Sequence, residues 1–283
     1  MRSSILCLLF VLVIAIPNVT AIDQLTMEQF RLSYGGTVAP ENSGSFVQLT
    51  DPVIISLFEE LTEAMLVDDI PTAEAKITEL EALDVYYRLI EITDSIRTTK
   101  GFMEDLQPGD THYRGWGAVL FNLDSTGYVV YQAPHVFADM FTREVCLQAF
   151  YDNPNAVALQ LTGAHRYSNG DDDGDSWPDS DSSHDGECLF HELTGYLAGR
   201  GVSLSAPYWF VQIHGSEDRP EEPDLVGSNC DHEPQMSLLE PLVLIDDQID
   251  AANHILSGVW GWWEGPDDTQ DGDYHLNGTA NLQ

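Results

Sequence analysis

Residues 156–165, AVALQLTGAH, decide the fold. A short apolar run of this kind reads as a buried strand over 156–162, and it delivers His165 just past its end. The same grammar holds on either side. VVYQAPH, 129–135, reads as a strand ending at His135, and residues 140–151 follow it as a helix. Downstream, residues 187–198 read as a helix and residues 208–213 as a strand, with His214 closing WFVQIH. Strand and helix in alternation imply an α/β fold, a mostly parallel sheet with helices on both faces.

Further out the period changes. Asp51 and Pro52 read as N-cap and first residue of a helix whose apolar stripe is Ile55, Leu57, Phe58, Leu61 and Met65. Pro71 opens a second helix, in which Ile77, Leu80, Leu83, Tyr87 and Ile90 recur at three and four, with a run on to Ile96, and Gly101 marks the close. The expectation is an N-terminal helical hairpin. Residues 116–123 and 128–132, separated by Asp124, Ser125, Thr126 and Gly127, read as a β-hairpin. Beyond the last strand, 242–245 reads as a strand and 247–256 as a helix, before a cluster of Trp260, Trp262 and Trp263.

At the start, Met1 and Arg2 precede an apolar run over 5–16 that is too short to span about 30 Å of hydrocarbon, and Val19, Thr20 and Ala21 follow as small residues. That pattern predicts a secretory signal over 1–21 and an extracellular or periplasmic chain. The expected organisation is therefore signal peptide 1–21, N-terminal helical extension 22–106 and an α/β metallohydrolase domain 107–283. Without Cys7 the chain keeps Cys146, Cys188 and Cys230. The expectation is a Cys188–Cys230 disulfide, with Cys146 buried in its helix.

Composition narrows the function. The chain has 47 Asp+Glu against 11 Lys+Arg, a formal charge of −36, and its only lysines are Lys76 and Lys100. Such a field repels phosphate, which argues against nucleic acid and anionic lipid as partners. Hydrophobic residues at 43 % supply a core, so pervasive disorder is not expected.

The chemistry sits at strand ends. His135, His165 and His214 each close a strand, and the carboxyl edge of a parallel sheet is where α/β proteins bind ligands. Two histidines and an oxygen ligand suit a catalytic zinc ion with an open position. Asp139 stands four residues after His135 and supplies that oxygen, or else caps the helix that starts near Met140. Arg166 either grips a substrate carboxylate or pairs with a nearby Asp. His184, in SDSSHDGE, approaches the same edge as a proton carrier, with Asp181 orienting it, and Glu217 beside His214 offers a general base. Residues 171–187 hold eight acids, and Asp171, Asp173, Asp175 and Asp179 alternate as in calcium loops, although Ser176 replaces the glycine of an EF-hand. His191 and Glu192 begin like H-E-x-x-H but end in Gly195, and the helical wheel puts His191 opposite Leu189, Leu193 and Leu197, on an exposed face.

QAPH at 132–135 with Asp139, GAHR at 163–166 and VQIHG at 211–215 resemble the superfamily of zinc carboxypeptidases and N-formylglutamate amidohydrolases. The resemblance covers residues 114–216. It implies one zinc on His135, Asp139 and His214, a substrate carboxylate on Arg166, and hydrolysis of an amide bond in a peptide-like or N-acyl amino acid substrate. The chain departs from the carboxypeptidase pattern in having Asp at the fourth position after the histidine, where those enzymes have Glu at the third. The competing expectation is a non-catalytic, secreted calcium-binding or surface interaction protein in which the strand-end histidines are structural.

Overall fold

The computed structural model describes residues 22–105, 113–139, 141–170, 178–184, 186–206 and 208–214, with the backbone of two short strands at 225–227 and 257–259. The chain opens with β1 (Asp23–Leu25), α1 (Met27–Gly35), α2 (Pro52–Leu66) and α3 (Ile70–Glu81). Strands β2 (Tyr87–Ile92), β3 (Thr99–Glu104), β4 (Ala118–Asn122) and β5 (Val129–Ala133) follow. Then come α4 (Thr142–Asp152), β6 (Ala156–Leu161), α5 (Leu189–Ser203) and β7 (Trp209–Gln212). β8 (Leu225–Gly227) and β9 (Ser257–Val259) pair in parallel as a separate ribbon.

Local chemistry explains the helix starts. Asp51 accepts the Val53 N–H at 2.8 Å and Asp69 accepts the Thr72 N–H at 3.2 Å, each ahead of a proline in the first turn. Thr26 and Gln29 form a reciprocal capping box on α1.

The sheet has seven strands in the order β1-β2-β3-β4-β6-β5-β7. β1–β2, β5–β6 and β5–β7 pair in parallel, whereas β2–β3, β3–β4 and β4–β6 are antiparallel. The α/β class holds, but the sheet is mixed, not mostly parallel. Alternate residues of each strand enter different apolar clusters. Leu89, Phe102, Val119, Phe121 and Ala158 join side chains of α2, α3 and α5. Ile90, Met103, Ala118, Leu120 and Leu159 join Phe30 and Tyr34 of α1 and Cys146, Leu147 and Phe150 of α4.

Three expectations are corrected here. α3 ends at Glu81, and Asp84, in the left-handed region at φ 61°, turns the chain into β2. The three-and-four spacing continued to Ile96 because Tyr87, Leu89, Ile90 and Ile92 are buried on both faces of a strand, which removes the alternation that marks one. Second, residues 22–106 hold a helical hairpin, α2 with α3, but β1, β2 and β3 pair into the main sheet, so they are not a helical extension beside it. Third, β4 and β5 do not form a hairpin, because β6 lies between them and pairs with both. The signal segment, the 242–245 and 247–256 elements and the tryptophan cluster lie outside the described residues.

Candidate metal centre

β5, β6 and β7 are parallel, with β5 in the middle, so their carboxyl ends share one edge. His135 lies two residues beyond β5, His165 four beyond β6 and His214 two beyond β7. The rings of His135 and His214 stand 5.0 Å apart, nearly perpendicular. Asp139 joins them: His135 Nδ1 is 3.0 Å from Asp139 Oδ2, and His214 Nδ1 is 3.9 Å from the same oxygen.

Asp139 is not a helix cap. The N-cap of α4 is Phe141, in the left-handed region and without a side-chain capping bond. Asp139 turns inward instead, its N–H bonded to the His135 carbonyl at 3.0 Å. His135, Asp139 and His214 together could hold a metal ion, their ligand atoms lying within 4.8 Å of one another.

Each histidine is anchored through its other nitrogen. His135 Nε2 donates to Asp181 Oδ1 at 2.7 Å, and His214 Nε2 lies 3.0 Å from Gln212 Oε1. An acceptor on Nε2 fixes the proton there and leaves Nδ1 for a cation, the arrangement seen behind metal-bound imidazoles. Ser183 Oγ, at 2.9 Å, and Asp181 together surround His135 Nε2.

Asp181 is fully buried and serves two cations, since Oδ2 lies 2.7 Å from Arg166 Nη2. Burial would raise its carboxyl, but the His135 hydrogen bond and charge and the Arg166 guanidinium pull it down to about 2. Burial likewise opposes the charge on His135, and Asp139 and Asp181 outweigh it, lifting the imidazole above its ordinary value. Desolvation, followed by repulsion from His135, holds His214 well below the ordinary value. One imidazole favours a proton and its partner refuses one.

Arg166 thus takes the ion-pair reading with Asp181, and its Nε is buried with no hydrogen-bond partner among the described residues. His165 faces the same group electrostatically; burial lowers it most, and its Nδ1 accepts the Tyr167 N–H at 3.2 Å. His184 follows Asp181 in a turn, its N–H bonded to the Asp181 carbonyl at 2.9 Å. The Asp181 carboxylate orients His135 and Arg166, and its charge also acts on His184. The loop 180–183 is buried throughout, with Ser182 bonded to Thr162 at 2.6 Å. Sequence reading missed this because the segment reads as a polar, acidic loop. Gln212 was missed as well, although its position two residues before His214 on a strand puts both side chains on one face.

His191 is 7 % exposed, not on an exposed face, because α5 is covered on that side by the 180–183 segment. Cys146 is buried and unbridged, and Cys188 is buried just before α5; Cys230 lies outside the described residues, and the expected disulfide with it. Asp179 is 8 % exposed, with its N–H on the Gly170 carbonyl, while Asp171, Asp173, Asp175 and Glu217 lie outside the described residues.

The chain matches no protein-family model, no curated protein and no solved structure. Among the described residues no helix is long and apolar enough to cross a membrane. The fold and the site thus define a mixed α/β protein with a His-Asp-His group suited to a metal ion at one sheet edge.

Proposed function

We propose that the protein is a secreted, zinc-dependent hydrolase acting on the amide bond of a small peptide-like or N-acyl amino acid substrate with a free carboxylate. The observation that carries this reading is the pair of anchored imidazoles: Asp181 and Gln212 hold the two Nε2 atoms while both Nδ1 atoms face Asp139. Two nitrogens and one carboxylate leave open positions, the donor set of catalytic rather than structural zinc. A bound zinc ion supplies Lewis acidity and a hydroxide nucleophile near neutral pH.

The chain's own groups supply the rest. Asp181 fixes the Arg166 guanidinium through Nη2, and the buried Nε of Arg166 has a donor to spare for a substrate carboxylate. His165, neutral and with Nδ1 occupied by the Tyr167 N–H, keeps its proton on Nε2 and presents a donor to a developing oxyanion. His184, beside Asp181, is the proton carrier.

Elemental analysis of the purified chain beside the His135→Ala/His214→Ala variant tests the reading. About one zinc per chain in the parent and none in the variant, together with hydrolysis of N-acyl amino acids by the parent alone, is the expected result. No transition metal in the parent after incubation with zinc overturns it.

A further inference from the structure

The parallel edge of the sheet is unevenly covered. On the face that carries α1 and α4, α4 packs on β5 and β6. Side chains of β7 alternate between the two faces. Phe210 joins Val130 in the cluster under α2 and α5, whereas Trp209 and Val211 stand beside Val129 and Tyr131 on the α4 face. There Trp209 is 53 % and Val211 37 % exposed. The flanks of α4 differ in the same way. Glu144 and Tyr151 turn to one side, where Arg31 of α1 and the Asp94 carbonyl beyond β2 meet them. The helical period sets Val145 and Ala149 on the opposite flank, towards β7, and Val145 is 50 % exposed. The result is an apolar shelf with the flank of α4 as its wall and β7 as its floor.

The shelf begins at the metal centre. Ile213, partly buried and in line with Val211, directly precedes His214, and the exposed Phe141 follows Asp139 by two residues. Strand order then ties the shelf to Arg166. β6, β5 and β7 lie side by side, and past their ends stand, in that order, Arg166, then His135 with Asp139, then His214 and the shelf. Two strand spacings amount to about 10 Å. A cation, a candidate metal group and an apolar surface are thus set out in line over the length of one acylated amino acid.

We propose that the shelf holds the acyl chain of the substrate, which makes the substrate a medium- to long-chain N-acyl amino acid. The inference rests on the metallohydrolase reading and narrows it: carboxylate at Arg166, amide at His135, Asp139 and His214, aliphatic tail along β7. Charge selects this occupant. The chain carries a net charge of −36, so an uncharged tail escapes a repulsion that an acidic partner would meet, and the one anionic group lies by the guanidinium. From Ile213 to Trp209 the strand rises about 13 Å, room for about ten carbons.

Acetyl-, hexanoyl- and decanoylglycine, titrated calorimetrically into the full chain with and without zinc and below micellar concentrations, test the inference, with hydrolysis followed in parallel. Each methylene removed from water strengthens binding about fourfold, so decanoylglycine should bind at least about 100-fold more tightly than acetylglycine. Val145→Glu puts a charge on the wall, and Val211→Thr places a hydroxyl on the floor while keeping a strand-forming side chain. Both positions are exposed, so both chains should fold, and the preference for decanoylglycine should fall about tenfold in the first and about threefold in the second. Ile96→Asp, which removes an exposed apolar side chain elsewhere, should bind as the parent does. Affinity independent of chain length overturns the inference, and so does equal affinity in all four chains, which marks adsorption to any apolar surface. Cleavage of all three acylglycines at one rate with no gain in affinity also overturns it and leaves the hydrolase reading standing. Length-dependent binding that Val145→Glu weakens, with no acylglycine cleaved, upholds the acyl site and removes the reaction.

Discussion

The antiparallel part of the sheet, β2 to β4, and the parallel part, β5 to β7, each bury a carboxylate, and they treat it differently. At the end of β3, Glu104 accepts N–H groups of Arg114, Gly115, Trp116 and Gly117. Burial pushes this carboxyl up to about 7 against the pull of those four amides. At the ends of the parallel strands, Asp181 accepts from His135 and Arg166, side chains with further nitrogens, of which His135 Nδ1 faces Asp139 and Arg166 Nε has no hydrogen-bond partner among the described residues. Backbone donors close a site, because every donor is consumed. Side-chain donors leave one open, since an imidazole or guanidinium has a second nitrogen for a ligand. The two meet where Gly117, at φ 81°, passes Gly163: a Cβ at Gly117 would overlap the Leu161 carbonyl oxygen, and one at Gly163 would overlap the Gly117 nitrogen. The Glu104 loop thereby braces the turn that leads to His165.

The largest effect expected from this contrast is on metal. His135→Ala/His214→Ala should lose all bound divalent ion in elemental analysis. In the parent, metal should be released as the pH falls, and earlier than for an ordinary imidazole, because the proton competing on His135 is favoured by Asp139 and Asp181. Metal content independent of pH between 5 and 8 would break the assignment.

Next comes Glu104. Its folded value of about 7 lies above the ordinary 4.5, so the folded chain holds that proton more tightly than the unfolded chain. The stability it lends is complete below the ordinary value and is lost as the pH rises through 7, by about 3 kcal/mol. Urea unfolding of the parent and Glu104→Gln between pH 5 and 8 measures this as a difference in slope, and parallel curves would refute it. Metal affinity should be the same in both chains, which separates the closed site from the open one.

Asp181→Asn should do the converse. Weakening the acceptor behind His135 lowers metal affinity about 10- to 100-fold, measured by competition with a chelating dye. An affinity equal to the parent's would mean that Asp181 holds Arg166 alone. The smallest effect is expected at Ile96, 80 % exposed between β2 and β3. Ile96→Asp should shift stability by no more than about 0.5 kcal/mol, whereas a core position on a helical stripe would lose several times that.

The same contrast explains what could be read from the sequence. Around β5, β6 and β7 the glycine, proline and histidine punctuation matched the strand ends to within two residues, although α5 runs five residues past the expected end at 198, and His135, Asp139 and His214 could be picked out because strand ends converge on one edge. The antiparallel strand β2 was read as helix because burial on both faces erased the period of two. The order of strands, with β6 inserted between β4 and β5, depends on pairings that local pattern does not encode. The pairing of Asp181 with His135, and Gln212 altogether, were hidden for a different reason: an acid among many acids and an amide among many polar residues acquire meaning only from the imidazole nitrogens they face.

One carboxylate shared between His135 and Arg166 also limits how the protein can change. Displacing the 178–184 segment would carry the guanidinium and the imidazole with it, so any change in the position of Arg166 and any change in metal retention would arrive together.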